Sequence, residues 1–141
     1  IYFSTNYVYP KTPGYYKEES PVYPVSNYAW SKLGGECAVQ MYKNSLIIRA
    51  CMTEYPFIHK FAYSNMFTNF IFHKDFIKIL EKVLHVRGIL NIGGPAKSVY
   101  NFAIKNNPNI KKLKLKPTKK INMPLNSLMN LTKLNEILKK K

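Results

Sequence analysis

Apolar and polar positions along the chain fall into two periods, roughly two residues and roughly 3.6, which predict strands and helices in turn. Ile1 to Ser4 is an apolar run of strand type that enters a polar turn. Asn6 to about Pro24 holds Pro10, Pro13, Gly14, Pro21 and Pro24 and reads as a long loop, a length that often marks function. From Ser26 to Tyr42 a helix fits, and Trp30, Leu33, Cys37 and Met41 recur at spacings of 3, 4 and 4 as the stripe expected to be buried. Ser45 to Ala50, "SLIIRA", is a short buried-type strand that ends in a charge.

Periodicity fades between Pro56 and Asn69, where aromatics are dense, and a short strand is expected at Phe70–Phe72. Asp75 to Leu84 is helical, with Phe76, Ile79, Leu80 and Val83 on one side. "GILNIGG", Gly88 to Gly94, is a strand closed by a glycine turn, and Ser98 is placed to cap a short helix reaching Lys105. Lys111–Lys116 alternates as a strand, and Thr132–Leu138 forms a last short helix. Strands alternating with helices predict an α/β layer fold, and no internal repeat interrupts it.

Composition narrows the class. A chain of 141 residues supports one domain with a real core, and 46% apolar content lies in the globular range. No run approaches the roughly 18 apolar residues of a membrane span, and no signal peptide opens the chain. Cys37 and Cys51 sit in apolar surroundings without zinc spacing, so reduced core thiols are expected, which suits a cytoplasmic protein. A first strand with no earlier partner would be a sheet edge, so the chain is expected to be the later part of a longer protein. The net charge of +15 is uneven, because residues 101–141 carry eleven lysines and one acid. A solvated lysine-rich face is the leading reading, ahead of attraction for a small anion. Nucleic acid is disfavoured as a partner, since nearly all aromatics lie in the first hundred residues, away from those cations.

The chemistry concentrates at Tyr28 and Lys32, one helical turn apart and displayed away from the Trp30–Met41 stripe. A phenol ordinarily ionises near pH 10, and an adjacent ammonium stabilises its anion. The lysine would keep donors for a ribose hydroxyl. Thr5, just past the first strand, could complete an electrophilic site on a carbonyl oxygen, because ligands of open α/β sheets gather at the carboxyl ends of strands. Gly34 and Gly35 would allow close approach to the helix. Arg49, at a strand end, either faces an anionic ligand or caps the sheet. Other candidates carry less. His59, His73 and His85 share no ligand spacing, Glu18 and Glu19 read as a solvated loop, and Asp75 reads as a helix-start residue. "NIGGPAKS" is a strand-ending turn, since Ala96 stands where a phosphate loop needs glycine.

"STNYVY" at 4–9, "YKEESPVYPVSNYAWSKLGGECAV" at 16–39 and "LIIRA" at 46–50 together resemble the extended short-chain dehydrogenase/reductases, and most of all the dTDP-4-dehydrorhamnose reductase branch. "FIFHKDFIKILEKVL", "GILNIGG" and "NSLMNLTKLNEIL" look like that branch's substrate-binding portion. The resemblance implies the C-terminal part of a doubly wound Rossmann-type parallel sheet plus a small substrate-binding region. Residues 1–50 would close the Rossmann-type domain with its catalytic helix, and 51–141 would hold the substrate. It implies reduction of the 4-keto group of a nucleotide-activated deoxysugar with NADPH or NADH. Thr5, Tyr28 and Lys32 would be catalytic, Tyr28 and Lys32 would also touch the cofactor, and Thr5, Asn6, Tyr7 and Arg49 would touch the substrate. Three departures stand out. Asn6 replaces a usual aspartate, "ACMTEY" replaces a threonine-serine-tryptophan type segment, and the 141 residues contain no glycine-rich phosphate turn. An epimerase or dehydratase of the same superfamily and a non-catalytic binding or regulatory subunit are the alternatives. A homodimer remains open.

Overall fold

The computed structural model describes residues 1–116 and 123–140. Its centre is a parallel sheet of three strands, β1 (Tyr2–Thr5), β2 (Leu46–Ala50) and a later strand, with β2 in the middle. All five residues of β2 are buried. That is why "LIIRA" is a continuous apolar run and not an alternating one, since a central parallel strand is covered on both faces. Between β1 and β2 runs the helix α1 (Asn27–Gln40), which starts where the Ser26 hydroxyl accepts the Ala29 amide at 3.2 Å.

After β2 come four short strands, β3 (Met52–Thr53), β4 (Phe61–Tyr63), β5 (Phe67–Thr68) and β6 (Ile71–Phe72), and then the helix α2 (His73–Val83). The chain returns to the sheet as β7 (Gly88–Ile92), so the sheet order is β1-β2-β7. Two more short elements follow, β8 (Lys97–Ser98) and α3 (Val99–Ala103), the latter capped by the Ser98 hydroxyl, which accepts the Asn101 amide at 3.1 Å. β9 (Lys111–Leu113) and α4 (Thr132–Lys139) complete the fold. The register pairs Thr5 with Ala50 and Ala50 with Ile92, so the three carboxyl ends are level. Among the described residues, no helix is long and apolar enough to cross a membrane.

One face of the sheet packs α2 and α4 through Ile48, Leu90, Phe76, Val83 and Leu134. A separate apolar cluster of Phe57, Ala62, Met66, Val99, Ala103 and Ile110 holds α3 beneath the parallel pair β4–β9. The backbone of Asn69–Phe70 crosses so close over the turn after β7 that a Cβ on Gly93 or Gly94 would strike it. This confirms the glycine pair as a strand-ending turn and explains it. A strap at 125–130 is sewn in on both sides. Phe67 N donates to Leu125 O at 2.8 Å and Ser127 N to Phe67 O at 3.0 Å, while Tyr16 N donates to Leu128 O at 3.0 Å and Asn130 N to Tyr16 O at 2.8 Å.

The element types expected from periodicity are present, but the buried stripe of α1 is not. Trp30 is 55% and Met41 87% exposed, and Cys37 is exposed, whereas Ala29 and Glu36 are buried and Lys32 and Leu33 half-buried. The helix therefore presents its Ala29–Lys32–Leu33–Glu36 face to the sheet. The cause is a buried charge. Arg49 of β2 lies inside, and Glu36 reaches it with both carboxylate oxygens, at 2.7 Å from Nη2 and 3.0 Å from Nε. This rotation of the helix brings the Glu36 carboxylate to Arg49, and leaving a buried cation without its carboxylate is costly. Cys37 is accordingly corrected from core thiol to surface thiol, while Cys51 is buried as expected. Of the two helix glycines, Gly35 lies under the Tyr2 phenol, where a Cβ would overlap it, while Gly34 faces open space.

The two readings of α1 make opposite demands on a stability series. Glu36→Ala leaves the Arg49 cation buried without its partner and should lower unfolding free energy by about 3–5 kcal/mol. Trp30→Ala, on the open face, should cost under about 1 kcal/mol. Urea denaturation of both variants measures this, and the reverse ranking would restore the apolar stripe.

Candidate active site

The first functional segment lies where β1 ends. Thr5 is buried, and its hydroxyl accepts the Tyr7 amide at 3.3 Å, capping a turn of 3-10 helix over Asn6–Val8. The same hydroxyl donates to Asn6 Oδ1 at 3.4 Å. The Asn6 amide in turn donates to Thr68 Oγ1 and to the Ser127 carbonyl, each at 3.3 Å. Thr68 is the hub of this buried group. Its hydroxyl also meets Cys51 Sγ at 2.8 Å and accepts from Ser127 Oγ at 3.2 Å. Four distant stretches of chain thus meet behind Thr5.

In front of Thr5 is a small cleft of about 150 Å³. Ser4, Thr5, Asn6, Tyr7 and Tyr28 supply its polar lining, and Cys51, Met52 and Phe70 are among its other residues. Tyr28 stands 54% exposed in the first turn of α1. The structure therefore brings four of the expected residues together at the carboxyl end of the parallel strands, where loops can converge on a ligand. The hydroxyls of Ser4, Thr5, Tyr7 and Tyr28 and the Asn6 carboxamide line one small cleft, and such donors can hold and protonate a carbonyl oxygen.

Lys32 and Arg49 are placed differently. The Lys32 ammonium donates to the Phe3 carbonyl at 2.9 Å and lies 5.3 Å from the centre of the Tyr2 ring, which fixes it against β1 one turn along the helix from Tyr28. Arg49 lies behind the cleft. Besides Glu36 it reaches the Tyr9 hydroxyl at 3.0 Å and the Glu18 carbonyl at 3.1 Å, so its position is that of a brace between sheet, helix and loop. Glu18, expected in a solvated loop, accepts the Asn91 amide of β7 at 3.0 Å. Asn91 itself is fully buried, donating to Tyr16 O at 2.9 Å and accepting from the Tyr9 hydroxyl at 2.8 Å.

Sequence reasoning missed Thr68, Ser127, Tyr9 and Asn91. For Asn91 there was a signal, a carboxamide in the middle of an apolar strand, which must find partners when buried. Thr68 and Ser127 carried none, because their meaning comes from residues 62 and 121 positions away. Two groups at the cleft, Tyr7 and Cys51, are held protonated. Burial pushes the Tyr7 phenol well above the ordinary phenol range, with Cys51 and Tyr28 adding to the effect. Burial also pushes the Cys51 thiol up to about 12, against smaller opposing hydrogen bonds from Thr68, Asn69 and Asn6.

A parallel sheet with a Tyr-x-x-x-Lys helix over it and a threonine at the adjacent strand end defines an α/β protein of Rossmann-like fold. Comparison with known proteins then gives the particular likeness. The family profile of the RmlD substrate binding domain matches residues 1–53. The fold resembles a hypothetical dTDP-4-dehydrorhamnose reductase from Sulfolobus tokodaii (TM-score 0.81, 22% identity), over 96% of this chain and 56% of that one. It also resembles the dTDP-4-dehydrorhamnose reductase of Bacillus anthracis, solved in complex with NADP (0.77, 18%), over 96% and 57%. A dTDP-glucose 4,6-dehydratase from Streptomyces venezuelae, solved with NAD, is similar at 0.73 and 20%, over 96% and 52%. No curated protein matches the chain in sequence. The chain spans just over half the length of these solved structures.

The thiols give a direct check on the site. Cys37 is exposed and should be alkylated readily in the native protein, while Cys51 should react only on unfolding. Because the folded state keeps the Cys51 proton to about pH 12 and an unfolded thiol loses it near pH 9, stability should be intact below pH 9 and fall as pH rises from there towards 12. Cys51→Ser, whose hydroxyl does not ionise in that range, should flatten this alkaline decline in denaturation curves.

Proposed function

We propose that this chain carries the carbonyl-handling part of an NAD(P)H-dependent nucleotide-sugar reductase that acts on the 4-keto group of a deoxysugar. The observation that supports it most is the single cleft shared by Thr5 and Tyr28 at the level carboxyl ends of β1 and β2. When bound, the dinucleotide supplies the hydride. Tyr28 gives its hydroxyl proton to the substrate oxygen. Thr5 steadies that oxygen by turning its hydroxyl away from Asn6, a long bond at 3.4 Å, while the Tyr7 amide keeps Thr5 Oγ1 in place. Lys32 uses one of three donors on the Phe3 carbonyl, which leaves donors for the ribose hydroxyls beside Tyr28.

These residues fit the nicotinamide-ribose end of a dinucleotide. The pyrophosphate end needs a glycine-rich turn, and none occurs in the 141 residues. Residues 51–141 contribute Cys51, Met52 and Phe70 to the cleft, which supports a substrate-holding role for this stretch. Dehydration in this superfamily asks for an acid next to the threonine. Asn6 is not one, and its amide is committed to Thr68 and Ser127, so reduction is preferred over dehydration.

Two measurements test the reading. The 141-residue chain by itself should show no micromolar enhancement of NADPH fluorescence, and such binding would mean that the cofactor site is misplaced. In a protein that joins this chain to a dinucleotide-binding half, Tyr28→Phe should lower turnover by about 10²–10⁴-fold with little change in substrate KM. Lys32→Met should lower turnover and raise the KM for cofactor together. Full activity in Tyr28→Phe would end the assignment of Tyr28 as the proton donor.

A further inference from the structure

The lobe built on β4 and β9 has an unusual charge. Residues 57–70 and 97–116, which form it, contain seven lysines and not one aspartate or glutamate. Lys60 already adjoins Phe61 in the sequence, and the fold adds the lysines of β9 to that aromatic segment. β4 and β9 pair in parallel with Phe61 opposite Lys111 and Tyr63 opposite Leu113, so each pair shares a face of the ribbon. Phe61 is 46% exposed, its ring 6.0 Å from the Tyr63 ring. Lys112 points elsewhere, its ammonium 5.2 Å from the centre of the Tyr100 ring. Lys60, Lys111, Lys114 and Lys116 are exposed, and of these Lys60 precedes Phe61 in the chain and Lys111 pairs with it across the ribbon.

The ribbon is fastened. Lys111 N donates to Lys60 O at 3.1 Å and Ser64 N to Leu113 O at 2.8 Å. The Asn65 carboxamide brackets Leu115, donating to its carbonyl at 3.0 Å and accepting its amide at 2.8 Å. Beneath, Ala62, Val99, Ala103 and Ile110 fill an apolar core. The Phe61 ring and Lys111 are therefore held in fixed register on this ribbon.

We infer that this ribbon binds single-stranded nucleic acid without sequence preference, its lysines tracking phosphates and Phe61 stacking on a base. The chemistry is that of single-strand binding surfaces, which combine a one-sign electrostatic track with aromatic platforms. An acid-free lysine surface alone would take any polyanion; the exposed Phe61 ring beside Lys60 and Lys111 selects a polyanion that carries flat rings. The inference stands apart from the proposed reductase activity, since Phe61 and the lysines it uses line no part of the cleft.

The probe is a fluorescent 20-mer of oligouridine titrated into the whole 141-residue chain, with polyglutamate of equal charge and a DNA duplex as competitors. Binding should be micromolar at 50 mM salt, with a log–log salt slope of about −3 if four lysines each release about 0.7 counterion, which is about fifty-fold weaker at 200 mM. Removing Lys111 and Lys114 together (both →Ala) should reduce the slope by about 1.4. The α4-end pair Lys139→Ala with Lys140→Ala should leave it unchanged. Phe61→Ala should weaken binding at least fivefold and Phe61→Tyr should restore it, which separates stacking from damage to the fold. Absence of binding at 50 mM salt would overturn the proposal. So would equal competition by polyglutamate, an equal effect of the α4 pair, or indifference to Phe61→Ala.

Discussion

The arrangement around the cleft depends on one cation taken into the interior. Arg49 sits one residue from the end of the central strand, and its guanidinium is met by the Glu36 carboxylate, the Tyr9 hydroxyl and the Glu18 carbonyl. Those partners belong to α1, to the turn after β1 and to the long loop. A buried ion pair contributes little net stability against a well-packed apolar substitute, but leaving either partner alone is severely costly. Its effect is to permit one arrangement and penalise others. Glu36 faces the sheet, α1 takes the rotation that follows, and Tyr28 comes to the cleft two turns earlier on the same helix.

A second polar group performs the same service for Thr5. Asn6 is fixed by Thr68 and Ser127, and Thr68 is fixed in turn by Cys51. Low polarity around such a network strengthens its bonds and makes any unpaired member expensive, so the members specify each other's positions. Thr5 thereby presents its hydroxyl from a rigid backing, with its own cap on the Tyr7 amide as a further restraint. The protein has placed its most constrained polar atoms directly behind the surface that would meet a carbonyl oxygen. With the backing fixed, only the Thr5 hydroxyl itself has to turn to meet a ligand.

The sequence displays the fold more openly than the site's support. β2 and β7 are visible as apolar runs, α2 as a one-sided stripe from Phe76 to Val83, and the end of β7 as a glycine turn. The Tyr28–Lys32 spacing and Thr5 at a strand end are local patterns and can be read locally. The orientation of α1 was misread because hydrophobic periodicity gives weight to Trp30, Cys37 and Met41 and none to Glu36. A carboxylate looks like a surface residue until the cation thirteen positions later is known to be inside. Thr68, Ser127 and Tyr9 are ordinary residues in ordinary contexts, and only tertiary structure makes them partners of Asn6 and Arg49. The middle of the chain resisted for another reason. β3 to β6 are two or three residues long, too short for any period to declare itself.

The strap at 125–130 has a consequence for how the molecule comes into being. Synthesis proceeds from the amino terminus, so Thr5, Asn6 and the loop that follows leave the ribosome more than a hundred residues before Ser127. Until then Asn6 has no Ser127 carbonyl to bond, and Tyr16 lacks both of its backbone partners, Leu128 and Asn130. Contacts of such sequence separation carry a loop-closure cost and form late. The sheet can assemble from residues that are already present once β7 has emerged, but the wall of the cleft cannot. Its last stitch is supplied by residues 125–130, so a nascent chain stopped short of them holds a sheet without a finished site.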